Sequence, residues 1–382
     1  MDVKNKIISV VLPCLNEEAG LRTCIEKIKE VFLRENINGE IIVVDNGSTD
    51  KSAEIAREMG VKILLQPIRG YGAAYIMGLD SVNGEYIIIA DADDTYDFLG
   101  IPKFINALFE GYDFVIGNRF RGKIHRKAMP VLNRYIGNPI LSGLCRLFFR
   151  VKVSDIHCGM RAFTKEAYEK MKLKCLGMEF ATEMVMEAFL KKLKIKEIPI
   201  DYYSRKGISK LEPLKDGWRH LRFMLLFSPD WLYFFPGLLT TVFGLSVLLL
   251  LLRGPLFFLG HNWDIHMMVL GALLSILGYQ LVSLGMYAKV FALREEYIGK
   301  DKAISFFFKF FNLETTISFG LIFFTIGLGA NILIFIEWWN KSFGTLYRIR
   351  EVILAMTFMI LGLQIIFSSF FISLLMLPRK KA

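Results

Sequence analysis

The chain has 382 residues, 53% of them hydrophobic, and a formal net charge of +10. Its positive mean hydropathy excludes an ordinary soluble protein, and its 22% charged content excludes a bare membrane bundle, so two dissimilar parts are expected. The charge alone fits nucleic acid, an anionic membrane surface or phosphate-bearing substrates, and the positions of the basic residues have to choose.

From Met1 to about Gly117, short β-rich runs alternate with helical patterns. Ile7 to Leu12, Glu40 to Asp45, Val61 to Gln66, Tyr86 to Ala90 and Phe114 to Gly117 predict buried strands of a parallel, doubly wound α/β sheet. Ser48 and Thr49 are expected to cap a helix running through Ala53 and Ile55 to Gly60, and a second helix is expected over Ala73 to Leu79. Residues Arg121 to Ser209 are less regular, apart from helical periodicity over Met178 to Lys192, and read as the acceptor-side half of the same domain. Cys14, Cys24, Cys145, Cys158 and Cys175 lack metal-ligand spacing and read as reduced and structural; His157, beside Cys158, has no second ligand pair to join. The apolar run after Ile7 is too short and wrongly flanked for a secretory signal, so this domain is expected in the cytosol.

After Asp230 come four long apolar runs, Trp231 to Leu252, Met267 to Ala288, Ile317 to Ile336 and Val352 to Leu377. Each can cross a hydrocarbon core, which takes roughly 20 residues. Trp231, Tyr233, Trp338 and Trp339 stand near the ends, where amphipathic rings favour the interface. Lys289, Arg294, Lys300, Lys302 and Lys309 follow the second run and Arg379, Lys380 and Lys381 close the chain, which places both termini in the cytosol; Lys341, Arg348 and Arg350 weaken the contrast without reversing it. Pro213 to Phe227, with Trp218, Leu221 and Leu225 on one helical side, is expected to lie in the headgroup layer, as is Phe291 to Phe311. The expected division is a cytosolic catalytic domain over 1–210, an interfacial helix over 211–230 and a multi-pass membrane domain over 231–382. Basic residues gathered beside apolar runs point to a lipid bilayer as partner and to no nucleic acid. Gly244, Gly278, Gly327 and Gly362 offer small-residue contacts for packing among spans or in a homo-oligomer.

The chemistry concentrates where the strand at Tyr86 ends in Asp91-Ala92-Asp93-Asp94-Thr95. Two carboxylates one residue apart can face a common centre, and Mg²⁺ or Mn²⁺ held by one or two carboxylates completes its shell from phosphates and water. That arrangement neutralises a departing nucleotide diphosphate, and the carboxyl end of a strand is where open parallel sheets bind ligands. Leu12-Pro13-Cys14-Leu15-Asn16-Glu17-Glu18 and Val44-Asp45-Asn46-Gly47-Ser48-Thr49-Asp50 reach the same crevice with groups suited to a base and a ribose. Arg205, Lys206 and Lys210, just before the interfacial helix, suit a lipid phosphate. Glu179 and Glu183, four apart, are candidates to orient a sugar or act as base.

Taken in order, Pro13 with Asn16-Glu17, Val43 to Asp50, Arg69-Gly70-Tyr71-Gly72-Ala73-Ala74, Asp91-Ala92-Asp93, Gly117-Asn118-Arg119, Cys158 to Phe163 and Arg205 to Lys210 resemble family 2 glycosyltransferases of the GT-A fold. More narrowly they look like dolichyl- or polyprenyl-phosphate sugar synthases. The resemblance spans about Ile7 to Lys210. It implies a mostly parallel, Rossmann-like sheet and a nucleotide-sugar site of Pro13, Leu15, Asn16, Glu17, Asp45, Asn46, Gly70, Asp91, Ala92 and Asp93. It implies Asp91, Asp93 and Arg119 as catalytic residues, beside the candidates Glu179 and Glu183 read from their spacing, and metal held by Asp93 and Asp91, with Thr95 at the place of a further oxygen ligand. Arg119, Arg134, Arg205, Lys206, Ser209 and Lys210 are then the lipid-phosphate group. Asn46 and Thr95 depart from the Asp and Gln that members often carry, and Arg126 or Arg134 substitutes for an arginine they often carry before Asn133.

The expected reaction is metal-dependent, inverting transfer of one sugar from a nucleotide diphosphate, UDP-glucose or UDP-N-acetylglucosamine before GDP-mannose, to dolichyl or polyprenyl phosphate. A processive polysaccharide synthase is the alternative enzyme, although the Gln-x-x-Arg-Trp string such synthases carry does not occur. A sugar-nucleotide-regulated lipid flippase or transporter is the alternative of another class, disfavoured because the four runs carry essentially no ionisable residues, with Asn331 and Gln364 as isolated polar exceptions.

Overall fold

The computed structural model describes residues 7–207, 212–294 and 312–377. The chain divides into two units, Met1–Met224 and Leu225–Ala382.

In the first unit, seven strands form one sheet in the order β3-β2-β1-β4-β6-β5-β7. β1 (Ile8–Cys14) is apolar and buried along nearly its whole length because it is paired in parallel on both sides, with β2 (Gly39–Asp45) and with β4 (Tyr86–Ile89). Burial on both faces selects continuous runs such as Val10-Val11-Leu12 over alternation. β3 (Lys62–Leu65) extends the sheet in parallel beyond β2. The chain passes from β1 outward to one side and reaches β4 on the other, so the strand order reverses at β1 and β4 and opens a crevice at their carboxyl ends.

The region from 121 to 209, expected to be irregular, holds two further strands. β6 (Arg161–Thr164) runs antiparallel between β4 and β5 (Phe114–Asn118), and β7 (Ile195–Pro199) pairs in parallel with β5. The sheet is therefore mostly parallel with one reversed strand.

The helices of this unit are α1 (Glu18–Arg34), α2 (Ser52–Glu58), α3 (Tyr71–Asp80), α4 (Ile101–Phe109), α5 (Asn138–Phe149), α6 (Lys165–Met171), α7 (Phe180–Leu190) and α8 (Pro213–Leu226). In α1, Leu21, Cys24, Ile25, Ile28 and Val31 are buried at three- and four-residue spacing. The expected cap of α2 by Ser48 and Thr49 is corrected, because that helix begins at Ser52 with its amide donating to Asp50 Oδ1 at 3.0 Å. In α8 the buried side chains are His220, Phe223 and Met224, while Trp218 is exposed.

Among the described residues the second unit contains four helices long and apolar enough to cross a membrane, Asp230–Leu251, Ile265–Arg294, Leu313–Asn340 and Ile349–Met376. A short antiparallel hairpin, Leu256–Phe258 with His261–Trp263, joins the first two. Small residues set how closely the spans approach: a Cβ added at Gly244 would stand 2.5 Å from the Gly271 carbonyl oxygen, and one at Gly362 would stand 2.6 Å from the Phe324 amide. Lys289 and Asp230 pair at 2.7 Å, and the Tyr287 hydroxyl donates to Ser368 at 2.8 Å. Asn331 donates to the Gly327 carbonyl, its own helix absorbing the amide. The second interfacial segment expected over Phe291 to Phe311 lies mostly outside the described residues, as do Ser209, Lys210 and the C-terminal Arg379-Lys380-Lys381.

Candidate active site at the carboxyl ends of the first and fourth strands

Two loops frame one side of the crevice. After β1 the backbone turns through Asn16 at φ +52°, and its side-chain oxygen accepts the Thr49 amide at 2.7 Å while its own amide donates to Ser48 Oγ at 2.9 Å. The Glu17 amide donates to Ser52 Oγ at 2.8 Å, which leaves the buried Glu17 carboxylate facing the crevice side chains. Asp45 Oδ1 accepts the Ser48 amide at 2.9 Å. Pro13 and Leu15 are half-buried beside them.

Asn46, expected to meet the nucleoside, is spent on the protein: Nδ2 donates to the Gln66 and Ile68 carbonyls at 3.0 and 2.8 Å, and Oδ1 accepts the Gly70 amide at 2.8 Å. It braces the loop that enters α3. Gly70 sits at φ +156°, and any Cβ there would collide with the Leu176 carbonyl. The Ala73 amide donates to that same carbonyl at 3.0 Å, so the 68–73 loop is stitched to the 174–177 loop. Glu183 holds the latter in turn, accepting the Lys174 and Cys175 amides at 3.0 and 2.9 Å. The Glu183 carboxylate, a candidate to orient a sugar or act as base, thus clasps this loop. Glu179 is half-buried at the foot of α7, against Gly177.

The carboxylates after β4 are each held differently. Asp91 Oδ1 accepts the Tyr71 hydroxyl at 3.0 Å and lies 3.5 Å from the Tyr75 hydroxyl, and Tyr75 stacks on Phe180 with ring centroids 5.4 Å apart. Burial, with the neighbouring charge of Asp93, pushes the Asp91 carboxyl up to about 7. Ala92 is buried between the pair. Asp93 Oδ1 accepts both the Thr95 amide at 3.1 Å and the Thr95 hydroxyl at 2.6 Å. Thr95, expected as a metal ligand, orients Asp93 through these two bonds. Asp94, at φ +60°, turns away to pair with Lys27 at 2.6 Å and Lys206 at 2.7 Å. Arg205 bridges Glu17 and Asp93, the second contact at 3.4 Å. Lys206 and Arg205 thus lie over the carboxylates themselves.

Opposite stands a wall built on arginines. Arg119 donates Nε and Nη2 to Asp155 at 2.7 Å each, its amide adds a third bond at 3.1 Å, and its guanidinium lies 5.2 Å from the Tyr202 ring centroid. Burial opposes this charge and Asp155 outweighs it, so the Arg119 pKa stands above its ordinary value. Asp155 holds the guanidinium edge formed by Nε and Nη2 of Arg119, the residue expected to act in catalysis and on the acceptor phosphate. Arg161, absent from the sequence-derived site, is 1% exposed and donates to the Cys158, Ala181 and Ile156 carbonyls. It shapes the turn carrying Gly159, where an added Cβ would come within 2.6 Å of Asp91 Oδ2. Arg134 is half-buried, with its guanidinium 5.3 Å from the Tyr135 ring centroid. Tyr71 and Tyr75, four apart just after the glycine loop, are the signal that could have identified the hydroxyls on Asp91.

Behind this wall His157 and His220 meet edge to face, ring centroids 4.5 Å apart, and His220 Nδ1 lies 2.9 Å from Thr182 Oγ1. Burial lowers both pKa values, His220 to about 4, with Arg161 and Arg219 adding to the shift and Asp216 and Glu179 opposing it; at His157 the His220 and Arg119 charges also lower it. An unfolded histidine titrates near ~6.5, so between that pH and about 4 the unfolded chain binds more protons. Stability is therefore complete above the unfolded pKa and falls as acid is added. Thermal unfolding of the detergent-solubilised chain should show this slope, on the order of 3 kcal/mol in total for His220, and a His157→Gln, His220→Gln double variant should flatten it; an unchanged slope would remove the pair as its source.

The donor set fits a hard divalent cation. Asp91 and Asp93 offer two carboxylates whose mutual repulsion a cation relieves, and no group of three or more His, Cys, Asp or Glu suited to a metal occurs among the described residues. Two carboxylates completed by substrate phosphates is the usual arrangement for Mg²⁺.

Residues 9–172 match Glycosyl transferase family 2, and residues 286–376 match the Glycosyltransferase family 2 C-terminal transmembrane region. The low-salt glycan biosynthesis hexosyltransferase Agl6 of Haloferax volcanii is 38% identical over 95% of this chain and 87% of that protein. A dolichyl-phosphate hexose transferase of the same organism is 31% identical over 55% of this chain and 89% of its own. A solved structure of glucosyl-3-phosphoglycerate synthase from Mycobacterium tuberculosis aligns with a TM-score of 0.47 at 23% identity, covering 58% of this chain and 79% of that one. With a GT-A catalytic unit and a C-terminal transmembrane region, this chain belongs to glycosyltransferase family 2 and is a membrane-bound glycosyltransferase.

Proposed function

We propose that the chain transfers a single sugar from a nucleotide diphosphate sugar to dolichyl or polyprenyl phosphate at the cytosolic leaflet, with inversion and with Mg²⁺ or Mn²⁺. UDP-glucose and UDP-N-acetylglucosamine are the first donors to test and GDP-mannose the next. The reading is carried by Asp91 and Asp93 at the end of β4, with Arg205 across them, on a chain that also has four membrane-length helices. The names of two relatives, a hexosyltransferase of glycan biosynthesis and a dolichyl-phosphate hexose transferase, support the reaction class and the acceptor. The basic residues after the second span support a cytosolic catalytic domain, 1–210, followed by an interfacial helix and the membrane domain.

A cation at Asp91 and Asp93 would offset charge gathering on the departing nucleoside diphosphate. Asp93 is oriented for this by Thr95, and Asp91 by Tyr71. Glu17, Asp45 and the 15–17 backbone line the donor side, while Asn46 and Gly70 fix the loop opposite. Arg205 and Lys206 present cationic donors where phosphates enter. An oxygen of the lipid phosphate attacks the anomeric carbon, the bond from that carbon to the diphosphate oxygen breaks, and the diphosphate leaves with the electron pair. Because a phosphate monoester with a second pKa near ~6 is largely deprotonated at neutral pH, positioning replaces a strong base. This agrees with Glu183 being occupied in a loop.

Purified full chain given labelled donors, polyprenyl phosphate and Mg²⁺ or Mn²⁺ should form one labelled lipid, with chelator stopping the reaction. A polymer, or hydrolysis without lipid product, would reject the proposal. Thr95→Val should raise the metal concentration for half-maximal transfer about 10–100-fold by loosening Asp93; an unchanged requirement would show that the Thr95 hydroxyl does not tune the site.

A further inference from the structure

The first turn of α7 makes a different contact through each of its four opening residues, all of them buried. Phe180 stacks on Tyr75 with ring planes 9° apart and meets Tyr71 edge-on at 6.4 Å. The Ala181 carbonyl accepts Arg161 Nη1 at 2.8 Å, Thr182 Oγ1 lies 2.9 Å from His220 Nδ1, and Glu183 clasps the 174–177 loop. The turn therefore joins the tyrosines on Asp91 to α8, the helix from which the chain passes on to the second unit. His220 is the polar side chain that α8 buries, beside Phe223 and Met224.

A second route leaves the same imidazole. His220 packs against His157, and both ring nitrogens of His157 are buried without a hydrogen-bond partner among the described residues. Such burial costs stability, a cost expected where function needs the side chain in place. His157 belongs to the turn from Asp155 to Gly159, whose other members are fixed. Asp155 holds Arg119, the Ile156 and Cys158 carbonyls accept from Arg161, and the Gly159 amide donates to the Tyr96 hydroxyl at 2.7 Å. Gly159 abuts Asp91 Oδ2, while the Tyr71 hydroxyl donates to Oδ1. The two routes from His220 thus end on the two oxygens of one carboxylate.

We propose that His220, Thr182 and His157 are positioning residues for Asp91: the buried imidazole seats α8 against both the first turn of α7 and the 155–159 turn, and the two contacts together set the carboxylate for a divalent cation. This rests on the transferase reading, in which Asp91 helps to hold that cation. The three residues act through Tyr71, Tyr75 and Gly159. Close-packed interiors pass a displacement on rather than absorbing it, so a small shift of either turn becomes a shift of an Asp91 oxygen.

The test compares Thr182→Val, which deletes the hydroxyl at nearly constant volume, with Thr182→Ser, which keeps it, in the full detergent-solubilised chain below every thermal midpoint. His220→Leu removes the imidazole and both of its contacts. Binding of Mn²⁺ alone is followed by the electron paramagnetic resonance signal of the free ion, and transfer kinetics are measured on the same preparations. Thr182→Val and His220→Leu should bind Mn²⁺ about 10-fold more weakly and lose kcat about 10-fold, with the KM for lipid acceptor and the behaviour of Thr182→Ser staying within about twofold of the parent. Parent-like Mn²⁺ binding in either folded variant would overturn the proposal, as would an equal loss in Thr182→Ser and Thr182→Val, the mark of general loosening. If one of the two fails to fold, the other decides. A parent chain that transfers no sugar faults the transferase reading instead, because the shift in Mn²⁺ binding is read without any transfer.

Discussion

Alanine at Asp91 or at Asp93 is expected to lower kcat/KM for sugar transfer by about 10³-fold or more, some ~4 kcal/mol of transition-state stabilisation. The size follows from geometry. Each carboxylate is aimed by its own hydroxyl, Tyr71 on Asp91 and Thr95 on Asp93, and a leaving diphosphate develops charge that water cannot stabilise as well as a preoriented site. Asparagine at either position keeps the shape and most hydrogen bonds while removing the charge, so its loss should approach that of alanine. Single-turnover transfer at saturating metal measures the effect, and a matching thermal midpoint shows that the fold survives. Transfer within tenfold of the parent in either alanine variant would move the reacting centre elsewhere.

Much of the frame that carries these residues was legible because it rests on local pattern. β1, β2, β4 and β5 are apolar runs that read as buried strands, and the carboxylates after β4 stand out because charge abruptly follows such a run. β6 escaped because it is four residues long and contains Arg161, a residue buried here only by three carbonyls supplied from elsewhere. β7, Ile-Lys-Glu-Ile-Pro, is half-buried and gains its place from pairing with β5, some eighty positions earlier. The bonds that Asn46, Thr95 and Glu183 make were not legible for one physical reason: a polar side chain in a strand-end loop can serve a ligand or a neighbouring backbone, and only the fold shows which backbone is near. Asn46 meets carbonyls and an amide 20 to 24 residues away, and Glu183 meets amides 8 and 9 residues back. Composition carries no trace of either.

Arg119 makes the same point with a larger energetic consequence. Its side chain and that of Asp155 are 7% and 0% exposed, joined by two 2.7 Å bonds across 36 residues. Removing one partner of such a pair strands the other charge in a low-dielectric interior, which costs about 3–5 kcal/mol. Arg119→Met and Asp155→Asn are each expected to destabilise the catalytic unit by that amount and to lower its thermal midpoint by roughly 10 °C. Arg119→Met with Asp155→Leu removes both charges and should recover most of the loss, since a pair replaced by apolar residues leaves nothing unpaired. The pair also anchors the turn to Gly159, which abuts Asp91, so the single variants should lose transfer as well as stability. If the arginine serves only to position this turn, transfer returns together with stability in the double variant, measured below every midpoint. Recovery of stability without transfer would mean that Arg119 also contacts substrate.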